Sequence, residues 1–161
     1  MFREFVIISA LLASLTTVAH AQTNIDLGGV TVDTSSAIEV TAESLSVEQD
    51  TGTAVFTGAV IVAQGDLKLS AERVEVVYAA DTSEISRLIA SGGVTFVTAD
   101  EAAEAQNADY DVIAGLLTLT GDVLLTQGAS AISAQRMVVN VATGSAQMDG
   151  RVRTVLQQGG N

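Results

Sequence analysis

From Ile38 onward the chain alternates apolar and polar positions with a period of two, in runs rich in Val, Ile, Leu and Thr. In the clearest run the even positions read Ala54, Phe56, Gly58, Val60 and Val62, against Thr53, Val55, Thr57, Ala59 and Ile61 at the odd ones. Successive side chains of a strand leave opposite faces of the sheet, so this period predicts a strand. The apolar face recurs as Leu88, Ala90, Gly92, Val94, Phe96, as Leu117, Leu119, Gly121, Val123, Leu125, and as Ala146, Met148, Gly150, Val152, Thr154. The opposite face carries Thr118, Thr120 and Asp122 in one copy and Asp149, Arg151 and Arg153 in another. One apolar and one mixed face in each copy is the pattern of sheets closed around a single interior. Turn signals such as Asp50-Thr51-Gly52, Gln64-Gly65-Asp66, Ala114-Gly115, Gln127-Gly128 and Thr143-Gly144 separate the runs. Many short strands at regular spacing predict an all-β domain. Residues 99–107 have the Ala and Glu content of a helix, but their register aligns with residues 65–73, which assigns them to a strand.

The recurrence has a measurable period. Ala42, Ala71, Ala105 and Ala134 fall 29, 34 and 29 residues apart, and Gly58, Gly92, Gly121 and Gly150 fall 34, 29 and 29 apart. Both series describe a 29-residue unit with one five-residue insertion between Ala71 and Gly92, for which Asp81-Thr82-Ser83-Glu84 is the natural loop. A period of this size marks a stacked or rolled β architecture. In the second strand of each unit the apolar phase slips by one residue after the Ala. Ile38, Val40 and Ala42 give way to Leu45 and Val47, and Leu67, Leu69 and Ala71 give way to Val74 and Val76; Tyr110, Met137 and Val139 follow the same shift. Such a slip is the mark of a β-bulge or a bend, and its recurrence predicts a strand that folds over between two sheets. The glycine at four equivalent positions marks a bend or a close backbone approach.

Composition narrows what the domain can do. Met1 and Arg3 lead into an apolar run from Phe5 to Val18, and Ala19-His20-Ala21 supplies a small-x-small cleavage site. This reads as a secretory signal peptide over 1–21, followed by a flexible, Gly-containing N-terminal arm over 22–36, a β domain over 37–156 and a flexible tail over 157–161. Cysteine is absent, and the single histidine, His20, lies in the signal segment. The expected mature chain therefore lacks the side chains of Cys/His zinc sites, Ser-His-Asp triads and Cys-His pairs. No cofactor is implied, since GxGxxG, P-loop and GxSxG motifs are all missing. The net charge is −12, and removing residues 1–21 takes away one Arg and one Glu and leaves it unchanged. That charge disfavours nucleic acid and anionic membrane surfaces as partners. Neither an Asp-x-Asp-x-Asp-Gly loop nor a Gly-Gly-x-Gly-x-Asp repeat supports calcium binding or any other metal site. The carboxylate groupings Glu72 with Glu75, Asp109 with Asp111, and Asp100 with Glu101 and Glu104 resemble solvated charges more than a glycosidase dyad.

The inner face is built from small branched aliphatics with few aromatics. Its candidate lining is Ile38, Val40, Phe56, Val60, Val62, Leu67, Leu69, Val74 and Val76 from the first half of the chain. Val94, Phe96, Tyr110, Leu117, Leu119, Val123, Leu125, Ile132, Met137 and Val139 continue it. For any one of these residues taken alone, a close-packed β core is the more ordinary fate. Four similar units rolled together would make a long trough that suits flexible acyl chains better than a planar cofactor. The first and last strands should carry open backbone edges, at Ile38 and Val40 and at Val152 and Thr154. Such edges either accept a strand from another domain or are guarded by charges, and Arg151 and Arg153 fit the second role as well as the strand fits the first.

The segment Phe56-Thr-Gly-Ala-Val-Ile-Val-Ala-Gln-Gly-Asp-Leu-Lys-Leu-Ser-Ala-Glu-Arg-Val-Glu-Val-Val-Tyr78 resembles the signature strands of the LptA/OstA-like lipopolysaccharide-transport family. Ile38-Glu-Val-Thr-Ala-Glu-Ser-Leu45 and Leu119-Thr-Gly-Asp-Val-Leu-Leu-Thr-Gln-Gly128 fit the same pattern, and the resemblance spans about residues 37–156. It departs over residues 98–107, where Thr98-Ala99 replaces Gln-Gly and acidic residues enter. The resemblance implies an open, V-shaped antiparallel β-jellyroll in the periplasm whose apolar groove shields the lipid A acyl chains of lipopolysaccharide. It also implies a non-enzymatic bridge that pairs with the jellyroll domains of an inner-membrane adaptor and an outer-membrane translocon and self-associates head to tail. The alternatives are a related adaptor of the same transport machine and a structural β-repeat envelope protein without lipid.

Overall fold

The computed structural model describes residues 23–26 and 34–156, so the expected signal peptide and tail lie outside the described residues. All regular structure among these residues is β. The strands are β1 (Thr23–Asp26), β2 (Glu39–Thr41), β3 (Ser44–Glu48), β4 (Thr53–Gln64), β5 (Leu67–Tyr78), β6 (Ile85–Val97), β7 (Glu101–Asp111), β8 (Leu116–Gln127), β9 (Ser130–Asn140), β10 (Ser145–Asp149) and β11 (Arg153–Val155). They form one antiparallel sheet in the order β1-β10-β9-β8-β7-β6-β5-β4-β2, with β3 beside β2 on β4 and β11 beside β10 on β9. From β4 to β10 the path is a simple meander. The segment with helix-like composition is β7, as the repeat register requires. Within the segment read as a flexible arm, Thr23–Asp26 forms a strand along β10.

A row of bulges crosses the sheet at the repeat glycines. Thr57 pairs with Arg73 and Val60 with Ala71, so Gly58 and Ala59 on β4 face the single residue Glu72 on β5. Likewise Thr120 pairs with Arg136 and Val123 with Ala134, which sets Gly121 and Asp122 against Gln135. The extra residue thus sits on the glycine strand, and the slip in apolar phase appears on its neighbour. Both bulge residues take left-handed backbone: Gly58 has φ 85° and Ala59 44°, Gly121 85° and Asp122 48°. The space above each glycine is also taken. A Cβ at Gly92 would lie 2.7 Å from Glu72 Cβ, and one at Gly121 would lie 2.9 Å from Gln106 Cβ. Glycine is required there on both counts. At the ends of the row the sheet splits. β2 and β3 divide around Glu43, whose N–H donates to the Gly58 carbonyl at 3.1 Å, and Gln135 N–H donates to the Gly150 carbonyl at 2.9 Å between β10 and β11.

The row divides the sheet into two leaves. The upper leaf holds β2, β11 and the Gln64 half of each long strand. The lower leaf holds β3, β10, β1 and the Tyr110 half. The Tyr110 hydroxyl donates to Gln64 Oε1 at 3.0 Å. Their strands, β7 and β4, are three places apart, roughly 14 Å in a flat sheet. The sheet therefore folds over along the bulge row, leaf against leaf, and the apolar faces meet inside. Val60, Val74, Phe96, Leu119, Val123, Leu125, Met137 and Val139 are all fully buried there.

Candidate functional site

The described residues contain no group of three or more His, Cys, Asp or Glu placed to hold a metal, and no helix long and apolar enough to cross a membrane. The site that remains is the space between the leaves. Of the lining residues expected from the sequence, Val60, Val62, Leu67, Leu69, Val74, Val76, Val94, Phe96, Tyr110, Leu117, Leu119, Val123, Leu125, Met137 and Val139 are buried in one cluster. Ile38, Val40, Phe56 and Ile132 are partly buried and pack against its rim. The leaves are closed on each other. A cavity of about 10 Å³ lies among Val62, Leu67, Leu69, Val74, Leu88 and Leu117, room for about one water.

The mouth of the V, opposite the bulge row, is fastened by polar side chains on the inner parity. Gln64 ends β4 and is 3% exposed. Its Oε1 accepts the Tyr110 hydroxyl, and its Nε2 donates to the carbonyls of Thr34 at 3.2 Å and Ser36 at 3.1 Å. One side chain thus ties the entering chain, the upper leaf and the lower leaf together. Burial raises the Tyr110 pKa above its ordinary 10.0 and keeps the hydroxyl protonated as a donor. In the other clear copy of the repeat Gln127 holds the same place at the end of β8, and its Nε2 donates to Glu101 Oε1 at 2.7 Å. Glu101 corrects the reading of the acidic cluster. Asp100 and Glu104 are exposed, but Glu101 is 5% exposed because its place in the β7 register puts it opposite Gln127 on the inner face. The two Gln-Gly turns were legible as turns, whereas the inward role of their glutamines was missed. The signal was present, since Gln64 continues the parity of Val60 and Val62, and Gln127 that of Val123 and Leu125.

Outside the mouth, Arg87 makes a paired contact with Asp109 across β6 and β7, Nε to Oδ1 at 2.6 Å, and this hydrogen bond and the nearby charge raise the Arg87 pKa. Of the carboxylates considered above, Asp109 lies on the outer face beside Arg87, and Glu72 lies on the bulge row against Gly92. At the ends of the sheet, β3 turns Leu45 and Val47 toward the interior by register with Phe56 and Ala54, yet they are 56% and 63% exposed. Apolar inner face is therefore left uncovered where the first strands end the sheet. Val152 and Thr154 are exposed at β11, whereas Ile38 and Val40 at β2 are half-buried. Among the described residues no strand pairs with the outer edges of β2, β3 or β11.

No curated protein sequence matches the chain significantly. Among solved structures it is similar to LptH of Pseudomonas aeruginosa, the LptA-homologous periplasmic component of the lipopolysaccharide transport device. The TM-score is 0.71 at 19% identity, over 79% of this chain and 99% of that one. That likeness establishes the β-jellyroll fold. Residues 39–145 match the sequence family described as LptA/(LptD N-terminal domain) LPS transport protein. The match runs from β2 to the start of β10 and includes three of the four repeat glycines, so the chain belongs to this family of lipopolysaccharide-transport proteins.

Proposed function

We propose that this protein is a periplasmic, non-enzymatic carrier that shields the lipid A acyl chains of lipopolysaccharide between its leaves on the way from inner to outer membrane. The observation that carries the reading is the continuous apolar face shared by all four repeats, closed at its mouth by few polar contacts. A water-sized cavity cannot hold acyl chains, so binding requires the leaves to part at the mouth while the bulge row serves as the spine. Parting costs the Tyr110–Gln64 hydrogen bond and exposes aliphatic surface, which the acyl chains then cover at about 25 cal/mol per Å² of apolar area. With a net charge of −12 the chain gives the phosphates of the headgroup no attraction, so the headgroup lies outside the leaves and the grip is apolar. Export depends on the signal peptide at 1–21.

The open edges of β2 and β3 at one end and of β11 at the other fit end-to-end pairing with a second copy or with related jellyroll domains of an inner-membrane adaptor and an outer-membrane translocon. A photo-crosslinking residue at Val62 or Leu125 should capture lipopolysaccharide in cells, and one at Ile61 or Thr120 on the other parity should not. Equal capture at both sets, or capture at neither, would sink the reading and favour a structural envelope protein.

A further inference from the structure

The two ends of the sheet differ in one respect. At the β2/β3 end both outer edges are open among the described residues, but at the other end only β11 is open. β10 is covered by β1, through the pairs Thr23↔Met148, Asn24↔Gln147, Ile25↔Ala146 and Asp26↔Ser145. We propose that Thr23–Asp26 is a displaceable cap that occupies the edge of β10 where β3 of a second copy pairs when copies join end to end. The inference rests on the end-to-end reading above.

Strand polarity supports it. Every neighbouring pair from β3 through β4 to β10 is antiparallel, so β3 and β10 run in opposite directions. A second copy continuing the sheet would lay its β3 antiparallel on β10, which is the polarity β1 already has. β2 would meet β11 in the same sense. The lengths agree as well, since β3 and β10 have five residues each and β1 has four. Exchange would also cover apolar surface of the second copy: its inner side chains Leu45 and Val47, 56% and 63% exposed, would continue the face of Ala146 and Met148. With β1 in place only the upper leaves can pair, and the joint between copies is half made. With β1 displaced both leaves run through the joint, and the lipid path is continuous.

The absence of cysteine makes the test clean. Asn24 and Gln147 are direct partners, and facing residues of antiparallel strands lie within disulfide reach. The oxidised Asn24→Cys/Gln147→Cys chain should form the bond within one molecule and associate at least about tenfold more weakly than the wild type, through the upper leaves alone, with full association restored by reductant. Asn24→Pro/Ile25→Pro removes two successive N–H groups, one of which must face β10 because they alternate sides along a strand, and should self-associate about tenfold more tightly. If the wild type associates and the locked chain does so equally, or if Asn24→Pro/Ile25→Pro associates no better, the cap fails while end-to-end assembly stands. A disulfide between molecules instead of within one also overturns it, since β1 would then be donated to a neighbour. If the intramolecular bond forms but no variant associates at any concentration, the end-to-end reading itself fails and takes the proposal with it.

Discussion

Replacing Tyr110 by Phe isolates the fastening of the mouth. The ring is 5% exposed and would keep its packing, so the change removes the hydroxyl alone. Gln64 Oε1 then stays buried without the 3.0 Å donor it has in the wild type. A buried acceptor stripped of its partner costs about 1–3 kcal/mol. For a domain of this size that is a fall in Tm of roughly 4 °C per kcal/mol. The loss bears on the closed leaves and not on the bulge row, so it should shift the equilibrium toward the parted form on the order of tenfold. Urea unfolding followed by far-ultraviolet circular dichroism gives the stability, and the on-rate of a fluorescent acyl probe gives the opening. A cycle with Gln64→Leu separates the bond from Gln64's other contacts, to the Thr34 and Ser36 carbonyls, and should return a coupling of about 1 kcal/mol. A Tyr110→Phe protein within about 0.3 kcal/mol of wild type, with no coupling to Gln64 and an unchanged probe on-rate, would refute the fastening.

Other consequences can be measured on the same protein. Leu119→Ala, at a fully buried position in the centre of the lower leaf, should cost about 2–5 kcal/mol in urea unfolding. Gly121→Ala combines left-handed backbone with a Cβ 2.9 Å from Gln106 Cβ, and should cost about 2–4 kcal/mol, only part of it recovered by Gln106→Gly because the backbone strain remains. Since burial raises the Tyr110 pKa above 10.0, the unfolded chain loses this proton before the folded one. The corresponding stability is complete below pH 10 and is lost as pH rises through the folded-state value. Unfolding curves at pH 8, 10 and 11 should show that loss in the wild type and a smaller one in Tyr110→Phe.

Much of this architecture was legible because the β period and the 29-residue repeat agree. The parity of Phe56, Val60 and Val62 places the inner face, and the slip after Ala71 marks the bulge row. Two things were not legible. One is the spacing of the leaves, which pack on each other around a water-sized cavity. Periodicity fixes which way a side chain points but not how far away the opposite face lies. The other is β1, since Thr23-Asn-Ile-Asp26 has no period of its own and its pairing with β10 is a contact across more than 100 residues of sequence that local pattern cannot report. Glu101 was masked in a similar way. Its acidic neighbours hid the fact that its register puts it opposite Gln127.

The central claim is that lipid parts the two leaves at the mouth. The most direct measurement is the distance between spin labels on Asp66→Cys, in the β4–β5 turn of the upper leaf, and Ile113→Cys, in the exposed β7–β8 turn of the lower one. The chain has no other cysteine to label. The account predicts one short distance in the free protein, replaced by a longer one on adding lipopolysaccharide and unchanged by polysaccharide stripped of its acyl chains. Lipopolysaccharide that binds while the distance stays at its free value would contradict it.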